Sequence, residues 1–399
     1  MTTPLDPATF DPHDPGYVKD PYAWYAMFRE RAPVHFVPLY QSNWVFRYDD
    51  VRRVLDDTDL FRKGKPDAGD APPKSGFDVM RYMPAGLFSL DPPRHTEVRK
   101  IVDPLFAAAI TNVAATAEAT ARTHLQQAKA SRRIELVQQY AVPVPTSVLM
   151  SVLGIPPAEV PAVSGWVSAI LAGNDPTSPM SVQTGAATCA MALNSYFQAF
   201  SRCPAHAEGS GLVQAMGTKG IAQGLLPEEV QATAVNFAVA GYLSTVFLIA
   251  TGTFDLLMNP AQLELLRKEP ARMTNAIEEM LRFDAPAQLV DRYVAGDVEL
   301  GGTKLKRGDL VTGVLGSANR DGSKFPNPDT FDIKRDTTGH VGFGDSIHTC
   351  PGASLVRAGA PVAFRVLLDE VPALALAGTP QWQTDPYLRS VANLPLAIG

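Results

Sequence analysis

Apolar residues recur at helical spacing along most of the chain. The stretch DPYAWYAMFRERAP places them three and four apart and stops at a proline, which predicts a helix. SNWVFRYDDVRRVLDD alternates first and then changes period, which predicts a strand running into a helix. Helical periodicity also marks 95–130, 137–153, 158–173, 187–203, 227–258 and 270–283, and NPAQLELLRKEP supplies a further helix before the last of these. In YVAGDVELGGTKLKRGDLVTGVL the pattern becomes short apolar runs between glycine-rich turns, which predicts short strands over 290–315. The polar stretch 63–76, rich in Pro, Gly and Lys, predicts a loop, and a last helix is expected over Ala353–Glu370. The pattern is that of a mainly α protein with small β-sheets.

One stretch, 231–254, contains no charged residue and is long enough to span a bilayer. It also carries Asn236, Ser244, several threonines and two glycines, and it lacks flanking interfacial anchors. A helix through the middle of a large helical protein is apolar all round for the same reason, so a buried central helix is expected.

Composition narrows the function. The 399 residues are 46% hydrophobic and 19% charged, enough apolar material for a large core. No linker, repeat or charge block interrupts them, so a single domain over 1–399 is expected. The net charge of -6 and the lack of a basic stripe exclude a nucleic-acid binder. The N-terminus has no basic region followed by an apolar run, so it does not read as a secretory signal. Three cysteines, Cys189, Cys203 and Cys350, are too few and odd in number for a disulfide framework, which suits a reducing cytoplasm. Cys189 and Cys203 read as structural thiols.

Cys350 is different. It lies in HVGFGDSIHTCPG, a glycine-studded loop leading into the last helix. Glycines at 342, 344 and 352 allow close backbone approach or positive φ. A helix N-terminus at the cysteine favours a thiolate. Phe343 offers an apolar wall, and His348 a cationic or hydrogen-bonding group. The combination suits a thiolate ligating the metal of a flat, apolar, partly anionic cofactor, as in haem with a proximal cysteine. Zinc held by His340, His348 and Cys350, a nucleophilic cysteine and a structural one stay open on the loop alone.

The loop resembles the cytochrome P450 haem-binding signature, Phe-x-x-Gly-x-x-x-Cys-x-Gly, with Phe343, Ser346 in place of the usual glycine, Cys350 and Gly352. The resemblance extends over nearly the whole chain. In IEEMLRF, Glu279 and Arg282 match Glu-x-x-Arg, with Arg335 of FDIKRD as the later arginine that joins the pair. Arg292 in LVDRYV, His95 and Arg99 in DPPRHTEVRK, and His348 match residues that contact haem propionates. The resemblance implies the P450 fold, a long central helix over haem b, and Cys350 as axial ligand of the iron. Phe343, Gly344 and Gly241 join the cofactor-binding set. The implied activity is monooxygenation, with oxygen inserted into a C–H bond by hydroxylation or O-demethylation.

The central helix departs from the family pattern. Ala/Gly-Gly-x-Asp/Glu-Thr-Thr reads here Ala240, Gly241, Tyr242, Leu243, Ser244, Thr245. The acid that helps deliver protons has become Leu243, which cannot carry one. Ser244 keeps a hydroxyl, and with Thr245 and Tyr242 it forms the candidate catalytic set. The departure leaves open a peroxide-driven peroxygenase, and a haem-binding sensor or ligand-binding protein that has lost turnover.

The resemblance puts the substrate pocket among 77–90, 236–245, 288–292 and 389–392. The candidates are Arg81, Met83, Leu87, Phe88, Asn236, Tyr242, Val290 and Val391. LGSANRD and TGHVGFG are similar to P450s that oxidise para-substituted aromatic acids, with Arg81 near a carboxylate-binding arginine. Asp291, beside Arg292, would repel such a carboxylate or pair with the arginine. No flavin or iron–sulfur module is attached, so a ferredoxin and ferredoxin reductase are the implied electron donors, docking near Arg94, Lys100 and Arg357. A small-molecule substrate, no membrane partner and a monomer complete the expectation.

Overall fold

A computed structural model of the chain describes residues 5–66, 86–129, 131–173, 178–202 and 211–398. Most of the loop expected at 63–76, and with it Arg81, Met83 and Cys203, lies outside the described residues.

Helices dominate. The longest, Pro227–Met258, starts with proline at its first position and Glu228 and Glu229 in its first turn, which suit the free N–H groups and positive dipole there. It is long and apolar enough to cross a membrane, but 72% of its most apolar window is buried inside the protein. Helices Met180–Arg202, Pro143–Leu153 and Ala353–Glu370 surround it and supply those contacts. The expected helix over 95–130 is two, Arg94–Ala109 and Val113–Lys129, separated at Ile110–Thr111–Asn112.

A five-stranded sheet stands beside the helices in the order Val34–Val37, Ser42–Val45, Leu310–Val314, Leu289–Val294, Phe61–Arg62. Ser42–Val45 pairs with Leu310–Val314 in parallel, and the other neighbours are antiparallel. Two features of this sheet position the site. Register Arg292↔Val311 fixes Arg292 in a strand packed on both sides, where it is 2% exposed. Register Arg62↔Tyr293 brings the chain that follows Arg62 alongside Arg292.

The Glu279–Arg282 pair is buried outright, at 0% exposure for both. Arg282 donates to both Glu279 oxygens (2.7 and 2.9 Å), and Arg335 reaches the same carboxylate at 3.3 Å. The remaining guanidinium donors go to carbonyls of Asn319 and Pro328. This full set of partners is what a buried charge requires. It ties helix Met273–Phe283 to the segment just ahead of the Cys350 loop.

Candidate functional site

The Cys350 loop is held from several directions. Cys350 N–H donates to the Phe343 carbonyl at 2.9 Å, which closes the loop on itself. Gly344 has φ +68°, and a Cβ on Gly342 would come within 2.6 Å of the Leu281 carbonyl oxygen. Both glycines are therefore required, one for conformation and one for close approach. Gly352 has an ordinary helical φ of -76° and caps helix Ala353–Glu370. Ser346, where the signature has glycine, sits at φ +58°. The Arg357 guanidinium lies 4.8 Å over the Phe343 ring and is paired with Glu278.

The sulfur opens onto a cavity of about 380 Å³, within the usual size for an enclosed small-molecule site. Burial pushes the Cys350 thiol up; N–H groups of Gly352 and Ala353 and the charges of Arg99 and Arg357 oppose this without overcoming it. The helix N-terminus favours the thiolate and burial opposes it. A metal held by this sulfur would deprotonate it outright.

Four basic groups from three elements converge on the same cavity. His95 and Arg99 stand one turn apart on helix Arg94–Ala109, Arg292 comes from the sheet, and His348 from the loop. The His95 and His348 rings are 4.2 Å apart. Arg99 bonds Asp103 (2.8 Å) and the Thr349 carbonyl (2.9 Å), which braces the helix against the loop. Burial, and then the neighbouring Arg292 charge, push His348 down to about 2. Burial brings Arg292 down to about 10. His95 Nδ1, His348 Nε2 and Arg292 Nε are buried with no hydrogen-bond partner among the described residues. Buried polar atoms are rarely left so, and crowded like charges call for an anion. A haem, with its two carboxylates and an iron for the sulfur, fits this donor set.

Asp291 lines the cavity beside Arg292, and its charge favours the charged guanidinium, as the pairing expectation had it. Its carboxylate accepts from the Thr312 hydroxyl at 2.7 Å and from Tyr387, while Arg292 bonds the Asp291 backbone carbonyl at 2.8 Å. His340, the other histidine of the loop, bonds Glu278 at 2.9 Å. Among the described residues no group of three His, Cys, Asp or Glu is placed to hold a metal ion.

The opposite wall is apolar. The central helix contributes Asn236, Val239, Ala240, Leu243 and Ser244. Leu87, Phe88 and Ser89 come from one flank, and Pro286, Ala287, Leu289 and Val290 from the other. Gly86 lies so close to the helix that a Cβ there would meet Asn236 Oδ1 at 2.3 Å. Of the expected residues, Cys350, His95, Arg99, Arg292, His348, Phe343 and Gly344 all line the cavity, as do Ser244, Leu87, Phe88, Asn236 and Val290.

Four others do not line it. Gly241 packs on Leu149 of helix Pro143–Leu153, where a Cβ would come within 2.9 Å. Thr245 shares that far side of the helix with Gly241, against a small void. Tyr242 turns toward Ser168 on helix Val160–Ala172, to which its hydroxyl is hydrogen bonded. The physical reason is helical: these positions sit about 100° or more around from Ala240 and Leu243. Val391 is buried at 0% behind the wall, and Leu388 takes the expected place beside Ala287. Lys63 lines the cavity and was not marked by the sequence, since nothing in FRKG separates it from a surface lysine.

On the electron-partner side, Arg94 is engaged by Glu229 (2.6 Å) and Glu97, and Arg357 by Glu278. Lys100 is exposed.

Comparisons with known proteins agree with this geometry. A sequence model of the family described as Cytochrome P450 matches residues 211–370. The chain is 33% identical to cytochrome P450 monooxygenase PikC of Streptomyces venezuelae, over 95% of this chain and 91% of that protein. It is 32% identical to 6-deoxyerythronolide B hydroxylase of Saccharopolyspora erythraea, over 95% and 96%. Among solved structures, P450BioI in complex with an acyl carrier protein ligated to hexadec-9Z-enoic acid superposes with a TM-score of 0.86 at 26% identity, covering 96% of this chain and all of that one. With sequence, fold and cavity in agreement, the chain belongs to the cytochrome P450 family, monooxygenases whose resident cofactor is haem b.

Proposed function

We propose that the protein, acting as one domain over 1–399, inserts one oxygen atom into a C–H bond of a small, mostly apolar substrate. The observation that carries this reading is the division of the cavity. Cys350 and the basic cluster stand on one side, with Asp291 beside Arg292, and a wall of uncharged residues from 87–89, 236–244 and 286–290 faces them. In this reading Cys350 is the haem ligand, and His95, Arg99, Arg292 and His348 hold the propionates. Bound haem supplies the oxygen-activating chemistry, with the thiolate pushing electron density to the iron. The chain's own part is to exclude water with Leu243, Val239 and Leu289, and to orient one polar substrate group at Asn236 and Ser89. Ser244 is the hydroxyl at hand for ordering a proton-bearing water.

The names of several relatives support an apolar substrate class. They include the 6-deoxyerythronolide B hydroxylase and an epothilone C/D epoxidase of Sorangium cellulosum, and a solved structure of CYP109E1 from Bacillus megaterium holds testosterone. The narrower aromatic-acid reading rests on Arg81. A binding panel of benzoates, phenols, terpenoids, a macrolactone and a steroid, read by the haem absorption shift on substrate entry, tests both. Tight binding confined to benzoates and lost in Arg81→Ala selects the aromatic acids. Binding confined to the neutral molecules removes them. A product heavier by one oxygen atom, or a demethylated product with one equivalent of formaldehyde, is the required outcome for either, and stoichiometric binding with no product under any oxidant overturns the enzyme reading in favour of a sensor.

Leu243 favours a second oxidant. Hydrogen peroxide brings both protons and both electrons with its oxygen, so its use needs no acid on the helix. Product formed with peroxide alone, at a rate matching that with dioxygen and a ferredoxin system, assigns a peroxygenase. For the dioxygen route a ferredoxin and its reductase are the donors. Reversing the charge of Lys100 then slows electron transfer and leaves substrate affinity unchanged.

A further inference from the structure

We infer that Lys63 is a further carboxylate-binding group of the haem pocket, that Asp91 sets it in place, and that the carboxylate it binds is a haem propionate. Three independent observations meet on this residue. The first is register. Strand Phe61–Arg62 pairs Arg62 with Tyr293, and the chain bends at Lys63, which stays within electrostatic reach of Arg292. The two cations repel, the Asp291 and Asp91 charges offset this only in part, and a further anion between them would offset the rest. The second is the cavity, which Lys63 lines together with His95, Arg99, Arg292 and His348. The third is the way it is anchored. Asp91 accepts the backbone N–H of Lys63 at 2.9 Å on one oxygen and that of Gly64 at 2.8 Å on the other. Its own carbonyl accepts from His95 N–H at 3.0 Å. A Cβ on Gly64 would stand 3.3 Å from the Asp91 carboxylate, so the close turn suits glycine.

Asp91 thus joins two segments that carry Lys63, His95 and Arg99, while its carboxylate is occupied with backbone donors. Burial, and then the Arg292 charge, bring the Lys63 amine down to about 7, and Lys63 in turn helps depress His95 and His348. An amine so crowded regains its charge when carboxylates enter, because each then has a partner.

The experiment uses the haem-loaded protein and variants Lys63→Met, Lys63→Arg and Asp91→Asn. The readouts are the rate of haem transfer to apomyoglobin, the midpoint potential, the spectrum of the reduced carbon monoxide complex, and thermal stability. Lys63→Met is expected to release haem about tenfold faster, the low end of what a group supporting a metal site is worth. Its potential moves negative, since a cation that favours the added electron is gone. Lys63→Arg restores both. Asp91→Asn keeps the amine but loses one of the two N–H acceptors, and gives smaller changes in the same directions. The thiolate-type carbon monoxide spectrum persists throughout, which separates this effect from loss of the Cys350 ligand. Unchanged haem release and potential in Lys63→Met overturn the assignment. So does lowered thermal stability alone, which marks a structural lysine, or a loss of affinity confined to anionic substrates, which gives the amine to the substrate.

Discussion

The cradle around Cys350 and the wall opposite share one cavity, and they are built by different rules. The cradle draws basic groups from a helix, a sheet and a loop onto one spot, with Arg99 braced by Asp103 and the Thr349 carbonyl and the backbone of Lys63 held by Asp91. The wall is a set of apolar side chains from 87–89, 236–244 and 286–290, with Asn236, Ser89 and Ser244 as its polar members. Charged groups in a cradle answer to one fixed ligand and admit few substitutions. Apolar walls answer to shape, which many sequences supply. The difference teaches where a cofactor and where a substrate are encoded.

The largest way to break this comparison is at the sulfur. Cys350→Ser is expected to abolish the thiolate-type band of the reduced carbon monoxide complex and to reduce monooxygenase activity to background. Retention of that band would place the ligand elsewhere, and the cradle reading would fall with it.

Next in size is the buried network that supports the loop. Glu279→Gln leaves Arg282 and Arg335 facing a neutral amide in a site with no solvent, and should cost about 3–5 kcal/mol of stability by denaturant unfolding. A cost below about 1 kcal/mol is the behaviour of a surface pair and would mean that the network is not sealed.

How much of this was legible in the chain follows the same division. The cradle was largely readable because its chemistry uses rare residue types at fixed spacing, and helix Ala353–Glu370 begins and ends where the pattern places it. Lys63 was not, because its role comes from a strand register across more than two hundred residues, which no local pattern states. The parallel pairing of Ser42–Val45 with Leu310–Val314 was hidden for the same reason. On the wall, the error lay in reading a helix as a linear motif. Gly241, Tyr242, Leu243, Ser244 and Thr245 are consecutive, but a helix shows only part of such a run to any one side. Leu243 and Ser244 reach the cavity, while Thr245 and Gly241 serve the contact with helix Pro143–Leu153. The helix expected at 187–203 begins earlier, at Met180, because Ser181 to Thr188 are mostly small or polar residues that weaken the apolar signal without breaking the helix.

The wall itself is sharpened by a pair of substitutions on that helix. Leu243→Asp puts an acid at a position facing the cavity, and a positioned general acid contributes roughly 10²–10⁴-fold in favourable cases. Dioxygen-driven product formation per electron consumed should rise several-fold, by an amount that stays on the order of tenfold or less because the surrounding water path has not been shaped for it. Peroxide-driven product should not rise. Thr245→Val, on the far side, should leave both unchanged. A Thr245 effect equal to that of Leu243 would mean that the two faces of the helix are not functionally distinct.

The smallest effect tests the cradle at its one local irregularity. Ser346 holds φ +58° in the turn two residues before His348, with its N–H bonded to Asp345 at 2.6 Å and its carbonyl accepting from Thr349. A left-handed conformation costs a non-glycine residue roughly 1–2 kcal/mol. Glycine removes that strain, but it also gives the unfolded chain more freedom, worth about 0.4–1 kcal/mol in the other direction. The two partly cancel, so Ser346→Gly should stabilise the protein by between zero and about 1.6 kcal/mol, the difference of these terms. The backbone bonds survive the change, and neither the carbon monoxide spectrum nor haem release should move. Destabilisation would show that the serine side chain holds the loop. Serine would then be a fitted part of this cradle, where glycine serves in the related signature.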